Sequence, residues 1–207
     1  DLARVSDVML FDVPLHYHLH DASISDGNVD LSRLWENTLT VSHPDQSVTF
    51  VENHDTQPGQ SLASTVAPWF KAAAYALILF HEAGVPCVFW GDLLGSPDSD
   101  DLPAVRELPI LMGIRARAAV GRQHNTFDDP DVVGFAREGK DEIPGSGCAV
   151  ILSDRMASDK TLYVGTRHAG EEWECVIGGH PSVRIADDGT LTGTVSDGGL
   201  SVYVPRA

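Results

Sequence analysis

Strand-like and helix-like runs alternate through the first 121 residues, and this order restricts the possible folds more than any other feature of the sequence. Apolar, strand-like runs occupy residues 8–13, 47–51 and 85–90. Apolar residues recur at helical spacing in residues 29–38, 66–78 and 104–120. For the second helix, Ser64 or Thr65 is the expected N-cap, and Gly84 the expected C-terminal cap. Strands that are apolar on both faces and alternate with helices predict βα units with a buried parallel sheet.

The composition changes after Gly121, because 12 of the 19 glycines lie beyond it. Short β-prone runs separated by turn residues follow, at residues 132–136, 148–152, 161–164, 172–177, 182–185 and 200–204. This spacing is typical of a small antiparallel sandwich. We therefore predict two domains, residues 1–122 with α/β structure and residues 123–207 with antiparallel β structure.

Three βα units cannot close a (β/α)₈ barrel, which needs eight strands. A partial sheet would leave its edges open to pairing. The first part is therefore either an open α/β domain or the last part of a barrel whose first strands lie elsewhere. The chain begins with Asp1 rather than Met, which favours the second alternative.

The charge balance excludes several classes of partner. The 14 Lys and Arg residues face 30 Asp and Glu residues, which gives a net charge of −16. Nucleic acids and anionic membrane surfaces are bound mainly through basic residues, so we expect neither as a partner. The three cysteines are widely spaced and form no metal or disulfide signature. A neutral substrate such as a sugar is compatible with this surface.

The segment Asn53-His54-Asp55 directly follows the strand-like run 47–51. In a βα barrel, residues just past the carboxyl end of a strand face the active site. A carboxylate beside a histidine can do electrostatic or acid–base work there. The alternative is that Asp55 only caps the turn before the next helix.

Residues 50–55, Phe-Val-Glu-Asn-His-Asp, resemble the strand-7 motif F-V-D/E-N-H-D of α-amylases. Four further segments resemble the same family in the same order, at residues 10–17, 88–92, 131–134 and 163–165. The chain is thus similar to the C-terminal portion of α-amylases of the liquefying bacterial and fungal type. The resemblance implies the C-terminal part of a (β/α)₈ TIM barrel, about strands 6–8, followed by an antiparallel all-β sandwich. It also implies retaining hydrolysis of α-1,4-glucosidic bonds in starch- or glycogen-type glucans, and it favours a cytoplasmic over a secreted protein.

By this resemblance, Asp55 is the acidic residue that stabilises the oxocarbenium-like transition state, and His54 binds the same sugar. Asn53 is expected to hold the turn. A retaining glycosidase also needs a carboxylate nucleophile and a general acid, which in this family follow strands 4 and 5. The upstream Asp7 and Asp12 lie in no such motif, and neither does Asp1. We therefore expect a missing N-terminal barrel half in a parent protein, and no cleavage by this chain alone. The alternative is an inactive fragment that acts as a carbohydrate-binding or interaction module.

The resemblance also implies a calcium ion between the barrel and the β-domain. The matching ligands are the side chains of Asp131 and Asp154 and the backbone carbonyls of Gly27, Val29 and Pro130. Carboxylates and carbonyls are the donors that calcium prefers. However, the loop 26–29 departs from the glycine-rich pattern of the family, and the aspartates could simply stabilise turns.

Three further features have simpler interpretations. His16, His18 and His20 would share one face of a strand and could bind a metal, but a strand end with partly exposed histidines is the alternative. Three of the four tryptophans are expected to be structural, namely Trp35, Trp69 and Trp90. Trp69 lies on the apolar face of its predicted helix, where core packing is the default. The acidic run 98–101 is expected to be a solvated loop.

Overall fold

The computed structural model describes residues 7–95 and 102–206. The helices are α1 Val13–Ile24, α2 Leu39–Ser42, α3 Pro68–Phe80, α4 Trp90–Leu94 and α5 Leu108–Arg117. Single 3-10 turns cover Leu31–Arg33, Pro44–Gln46 and Thr166–His168. The strands are β1 Leu10–Phe11, β2 Ser47–Phe50, β3 Val85–Cys87, β4 Gln123–Thr126, β5 Val132–Arg137, β6 Cys148–Ser153, β7 Ser158–Tyr163, β8 Glu172–Ile177, β9 Val183–Arg184, β10 Thr190–Val195 and β11 Leu200–Pro205.

The first part contains a parallel three-stranded sheet in the order β1-β2-β3. Leu10 pairs with Ser47, and Val48 pairs with Val85, so all three strands run in one direction. Helix α3 connects β2 to β3 and buries ten of its 13 residues. The alternation in the sequence therefore correctly predicted parallel βα units.

The bounds and caps of α3 differ from the prediction. The helix begins at Pro68, because proline is well suited to the first helical turn. The N-cap is Ala67, whose side chain makes no capping hydrogen bond. It ends at Phe80, with His81 as the C-cap, and Gly84 lies further on in the loop with φ of 80°. Helix α5 likewise begins at Leu108, later than the pattern at 104–120 indicated, because Pro109 occupies its first turn.

The prediction of a strand over residues 8–13 was mostly wrong. Only Leu10–Phe11 is extended, and α1 begins at Val13. The Asp12 carboxylate accepts a hydrogen bond from the backbone nitrogen of Leu15 (3.2 Å), which caps the helix, and Pro14 fits its first turn. The segment 29–38 is also not a regular helix, since only a 3-10 turn forms there and Asn37 adopts a positive φ of 58°.

The second part contains a six-stranded antiparallel sheet in the order β4-β5-β6-β11-β8-β9 and a two-stranded sheet of β7 and β10. The six predicted β runs fall within β5, β6, β7, β8, β9 and β11 or overlap them. The sequence patterns missed β4 and β10. Strand β4 is polar throughout, Gln-His-Asn-Thr, so it lacks an apolar face that could reveal it.

Two hydrophobic clusters hold these layers together. The larger packs helices α1, α3 and α5 against one face of the six-stranded sheet, with Phe135, Val150 and Val202 on the sheet side. The smaller lies on the opposite face and includes Ile151 and Leu191. The core is therefore continuous across residues 122 and 123, and the domain boundary there stays a prediction.

No helix in the described part of the chain is long and apolar enough to cross a membrane.

Candidate active site and metal centre

The segment after β2 is a tight turn organised by Asn53. The Oδ1 atom of Asn53 accepts hydrogen bonds from the backbone nitrogens of Asp55 (2.8 Å) and Thr56 (3.0 Å). The backbone nitrogen of Asn53 donates to Oγ1 of Thr56 (3.0 Å). Asn53 therefore holds the turn, as the sequence predicted, and fixes the backbone on which Asp55 is carried.

Asp55 and His54 project into solvent at the carboxyl end of β2. Their side chains are 58% and 82% exposed, and Nε2 of His54 lies 3.5 Å from Oδ1 of Asp55. Neither side chain is used to fill the core. Both are therefore free to contact a ligand, and the catalytic and sugar-binding roles assigned to them stay predictions.

Directly beside this turn, Glu52 is fully buried. Its Oε1 accepts a hydrogen bond from the backbone nitrogen of Val66 (2.7 Å), and its Oε2 accepts one from Oγ1 of Thr56 (3.2 Å). Burial raises the pKa of Glu52 to about 7, against the opposing effects of the Val66 hydrogen bond and the Lys71 charge. One carboxyl group thus fastens both ends of the loop that carries Asp55.

A second buried polar cluster lies between α3 and α4. Lys71 forms an ion pair with Asp92, and both side chains are almost completely buried. The Tyr75 hydroxyl donates a hydrogen bond to the other carboxylate oxygen of Asp92 (2.7 Å), and burial is the main reason that the pKa of Tyr75 is raised. The sequence prediction missed this cluster, although a lysine within an apolar helix pattern was a signal for it.

Asp12, one of the upstream acids, has a structural role. Its Oδ1 accepts hydrogen bonds from the backbone nitrogens of Leu15 and Leu39, and its Oδ2 accepts from the backbone nitrogen and Oγ1 of Thr40 (both 2.7 Å). The buried carboxylate is therefore saturated by its own neighbours. The expectation that Asp12 is not the nucleophile stays a prediction.

The prediction that His16, His18 and His20 could lie on a strand was wrong, because they lie on helix α1. Each Nδ1 is 2.8 Å from a different backbone carbonyl, namely those of Val51, Leu34 and Thr65. The three rings therefore hold three separate segments. Within the described residues, no three His, Cys, Asp or Glu side chains are grouped so as to hold a metal.

The tryptophans differ in their environments. Trp35 stacks on the ring of His81 with centroids 4.0 Å apart, which fits a packing role. Trp69 donates its Nε1 hydrogen to the Ser23 carbonyl (2.9 Å) but is half exposed. The prediction that Trp69 packs in the core is therefore wrong for about half of its surface. Trp90 is 70% exposed at the carboxyl end of β3, and the structural role expected of it stays a prediction. The acidic run 98–101 lies outside the described residues.

The predicted calcium ligands Asp131 and Asp154 lie side by side. The backbone nitrogen of Asp154 donates to the Asp131 carbonyl (3.3 Å), and the Asp154 side chain is buried with no hydrogen-bond partner for either carboxylate oxygen. Burial raises the pKa of Asp154 to about 6, and the charge of Asp131 is the next cause. Such an unsatisfied buried carboxylate is costly unless a cation neutralises it.

The three predicted carbonyl ligands lie on the segments that meet near these aspartates. The Pro130 carbonyl accepts a hydrogen bond from the backbone nitrogen of Leu31 (2.8 Å), which ties the loop containing Val29 to the start of β5. Gly27 packs against the side chain of Arg155, the residue after Asp154, and has a positive φ of 74°. The donor set of two carboxylates and nearby carbonyls is chemically suited to calcium.

No protein-family profile matches the chain. It is 44% identical over 201 residues to a protein named alpha-amylase from Bacillus licheniformis and 44% identical over 199 residues to another from Geobacillus stearothermophilus. It is 38% identical over 207 residues to the "Cytoplasmic alpha-amylase" of Escherichia coli strain K12. Each similarity covers 95% of this chain. The chain belongs to the α-amylase family and matches its C-terminal portion.

The similarity to these relatives covers only part of their length. The chain spans only 36–41% of the length of these three relatives. The α-amylase motif around Asp55 thus identified the family, while the remaining length of the relatives has no counterpart among these 207 residues.

Solved structures agree with an α-amylase fold. An α-amylase from Malbranchea cinnamomea superposes with a TM-score of 0.67 at 20% identity, over 93% of this chain and 44% of that one. AmyP, solved in complex with maltose, superposes with a TM-score of 0.63 at 14% identity, over 95% of this chain and 50% of that one. At this identity the likeness shows the fold, which is that of an α-amylase C-terminal region with antiparallel sheets.

Proposed function

We propose that this chain is part of a glycoside hydrolase that cleaves α-1,4-glucosidic bonds in starch- or glycogen-type glucans with retention. The observation that carries the proposal is the exposed Asp55, held by Asn53 at the carboxyl end of a parallel strand, in a chain 44% identical to α-amylases. The exposed carboxylate can accept hydrogen bonds from sugar hydroxyls, and such bonds strengthen as positive charge develops on the sugar. The adjacent His54 binds the same sugar.

We further propose that β1, β2 and β3 are about strands 6–8 of a (β/α)₈ barrel, with the antiparallel strands forming a sandwich behind it. Within the described residues, β1 and β3 each pair on one side only. Large apolar side chains at both edges are exposed, including Val8, Phe11 and Val85. Open apolar edges are unfavourable in water, so further barrel strands supplied by a longer parent protein would cover them.

One relative bears the name "Cytoplasmic alpha-amylase", and a cytoplasmic location is part of this proposal.

Starch hydrolysis by this chain and by a longer parent protein tests the function. We expect new reducing ends from the parent and none from the chain alone, because a retaining cleavage needs a nucleophile and an acid besides Asp55. The anomeric form of the first product, followed by NMR, should be α. Hydrolysis by the chain alone would contradict the assignment of the nucleophile and acid to other residues. If neither protein cleaves starch but the chain binds it, the alternative of a carbohydrate-binding module is correct.

We also propose that Asp131 and Asp154 hold a calcium ion together with the carbonyls of Gly27, Val29 and Pro130. The support is the buried Asp154 carboxylate, whose two oxygens have no protein partner. A bound cation would neutralise the two adjacent carboxylates and fasten the loop 25–31 to the β-domain. This role is structural, because these residues lie on different segments from Asp55.

Calcium should raise the melting temperature in a pH-dependent way. A hundredfold excess over Kd stabilises by about 2.7 kcal/mol, which corresponds to about 5–10 °C for a protein of this size. Because the pKa of Asp154 is raised, its contribution to metal-free stability is fully present below pH 3.8 and is lost as pH rises through about 6, where the buried carboxyl must ionise. Calcium binds the ionised form. At pH 5 protonation of Asp154 weakens calcium binding about tenfold. At the same calcium concentration, the shift at pH 5 should therefore be about half of that at pH 7.5, as measured by calorimetry with calcium or a chelator.

The variant Asp154→Asn tests whether Asp154 binds calcium in a protein that still folds. This variant should lose the calcium response and, at pH 7.5, should be more stable than the metal-free wild type, because a neutral amide replaces a buried charge. Asp187→Asn, at an exposed turn, is the control and should keep the full response. An unchanged calcium shift in Asp154→Asn would rule out this site.

A further inference from the structure

An open cavity of about 450 Å³ lies where the C-terminal ends of α3 and α5 meet β4 and β5. Its lining contains four cationic residues and one acid, which are Arg115, Arg122, Arg137, Lys140 and Glu82. The whole chain has only 14 Lys and Arg residues and a net charge of −16. Four of these 14 basic residues therefore border one cavity. We call these four residues the cationic pocket.

Two of the four cations are fixed by neutral groups only. Arg115 donates from Nη1 to the Leu79 carbonyl (2.7 Å). The buried Arg137 donates from Nη1 to the Phe80 carbonyl (2.8 Å), and from Nε and Nη2 to the Gly121 carbonyl (3.0 and 2.6 Å). Burial lowers the pKa of Arg137, and the neighbouring positive charge of Arg115 contributes. The charge of each guanidinium group therefore acts on the other, and backbone carbonyls rather than carboxylates accept their hydrogen bonds.

A purely structural explanation covers only part of this arrangement. Arg115 and Arg137 hydrogen-bond the last carbonyls of α3, where cations stabilise the helix end. Arg122 and Lys140, in contrast, are exposed, and their side chains make no hydrogen bond or ion pair with any described residue. The one acid, Glu82, already accepts a hydrogen bond from the backbone nitrogen of Gln123 (2.9 Å). Neither helix capping nor ion pairing within the protein explains why two further cations border the same cavity.

We propose that the cationic pocket binds a small anion that carries a phosphate group, such as a phosphorylated sugar. Guanidinium groups match phosphate oxygens in geometry, and lysine adds a mobile point charge. Ligand pockets usually measure about 300–1,000 Å³, and this cavity has more room than a lone phosphate ion needs. The fixed pair Arg115 and Arg137 provides a rigid base, while Arg122 and Lys140 can close over the ligand.

The chain topology separates this pocket from the proposed substrate site. Residues 79–82 comprise the last two residues of α3 and the first two after it, and they precede β3, whereas Asp55 follows the last residue of β2. Because β2 and β3 are parallel, the pocket lies at the amino ends of the strands and Asp55 at the carboxyl ends. A bound anion would thus not compete with glucan at Asp55. It would instead join α3, α5 and the β4–β5 hairpin and stabilise their contact.

Thermal unfolding of the complete protein tests this proposal with four additives, namely inorganic phosphate, glucose 6-phosphate, glucose, and sodium chloride at matched ionic strength. We expect a saturable rise in Tm of about 3–6 °C at a tenfold excess over Kd. Glucose and sodium chloride should give no such rise. Equal effects of both phosphates would identify the phosphate group alone as the ligand, and a larger effect of glucose 6-phosphate would identify a sugar phosphate.

Substitutions of residues that make no contacts important for the fold show whether the phosphate effect arises at the cationic pocket. The double variant Arg122→Ala and Lys140→Ala should fold normally, because neither side chain has a partner in the described structure, and it should lose the phosphate-induced shift. Arg117→Ala, an exposed arginine on α5 outside the cavity lining, is the matched control and should keep it. The proposal is overturned if neither phosphate exceeds sodium chloride, or if the double variant responds like the wild type. Starch hydrolysis is not needed for either result, so the test is independent of the proposed catalytic function.

Discussion

Replacing Asp55 by asparagine should lower kcat on α-glucan about 100- to 1,000-fold in the parent protein, with little change in KM. Removing one preorganised group that stabilises transition-state charge typically costs this much, about 3–4 kcal/mol. Asparagine keeps the size of the side chain but loses the charge that stabilises the developing oxocarbenium ion. The kinetic constants should be measured on a soluble maltooligosaccharide of defined length. An interaction made mainly in the transition state lowers kcat and kcat/KM together.

The fold should be unaffected by this change, so the loss of rate will report on chemistry. The Asp55 side chain is largely exposed, and the one ion-pair partner of its carboxylate among the described residues is the exposed His54. The turn is held through the backbone nitrogen of Asp55 and the side chain of Asn53. Asp45→Asn, at an exposed position before the amino end of β2, is the control and should keep full activity. If Asp55→Asn retains wild-type turnover, the role assigned to Asp55 is wrong.

The sequence predicted those parts of the fold that local patterns encode. Helix α3 was recognised because its apolar residues recur at helical spacing over 13 residues, and β5 and β6 because they are apolar and bounded by turns. Helix α1 was missed because residues 8–13 were interpreted as a strand, although Asp12 and Pro14 together begin a helix. Strand β4 is formed by pairing with β5, and its polar residues give no local signal.

In the candidate site, too, the sequence predicted only the residues that a local motif reveals. Asp55 and His54 were found through a short contiguous motif, and their exposure is compatible with the expected roles. The buried acceptor Glu52, in contrast, meets Val66 at a separation of 14 residues, and Lys71 meets Asp92 at 21. These contacts depend on how α3 packs against the ends of β2 and β3. A single sequence cannot reveal them, because each residue type alone is ordinary at the surface of a protein.

Removing one member of the buried pair Lys71 and Asp92 should destabilise the protein by about 3–5 kcal/mol. The two side chains are 4% and 0% exposed, so neither charge can be solvated by water when its partner is lost. Asp92→Asn leaves the buried ammonium group of Lys71 without its ion-pair partner. Lys71→Met leaves the carboxylate of Asp92 with the Tyr75 hydroxyl as its hydrogen-bond donor. Urea unfolding followed by circular dichroism should show a lower midpoint for both variants.

A double-mutant cycle distinguishes a true pair from two independent effects. Lys71→Met combined with Asp92→Asn removes both charges, so the double variant should be more stable than the sum of the single losses predicts. Glu36→Gln, which breaks the exposed ion pair with Arg33, should leave the free energy of unfolding nearly unchanged, because water replaces the lost partner. Additive losses in the cycle would mean that the two charges do not compensate each other. A strong coupling would instead identify this pair as the buried support that joins α3 to the carboxyl end of β3, next to the loop that Glu52 fastens.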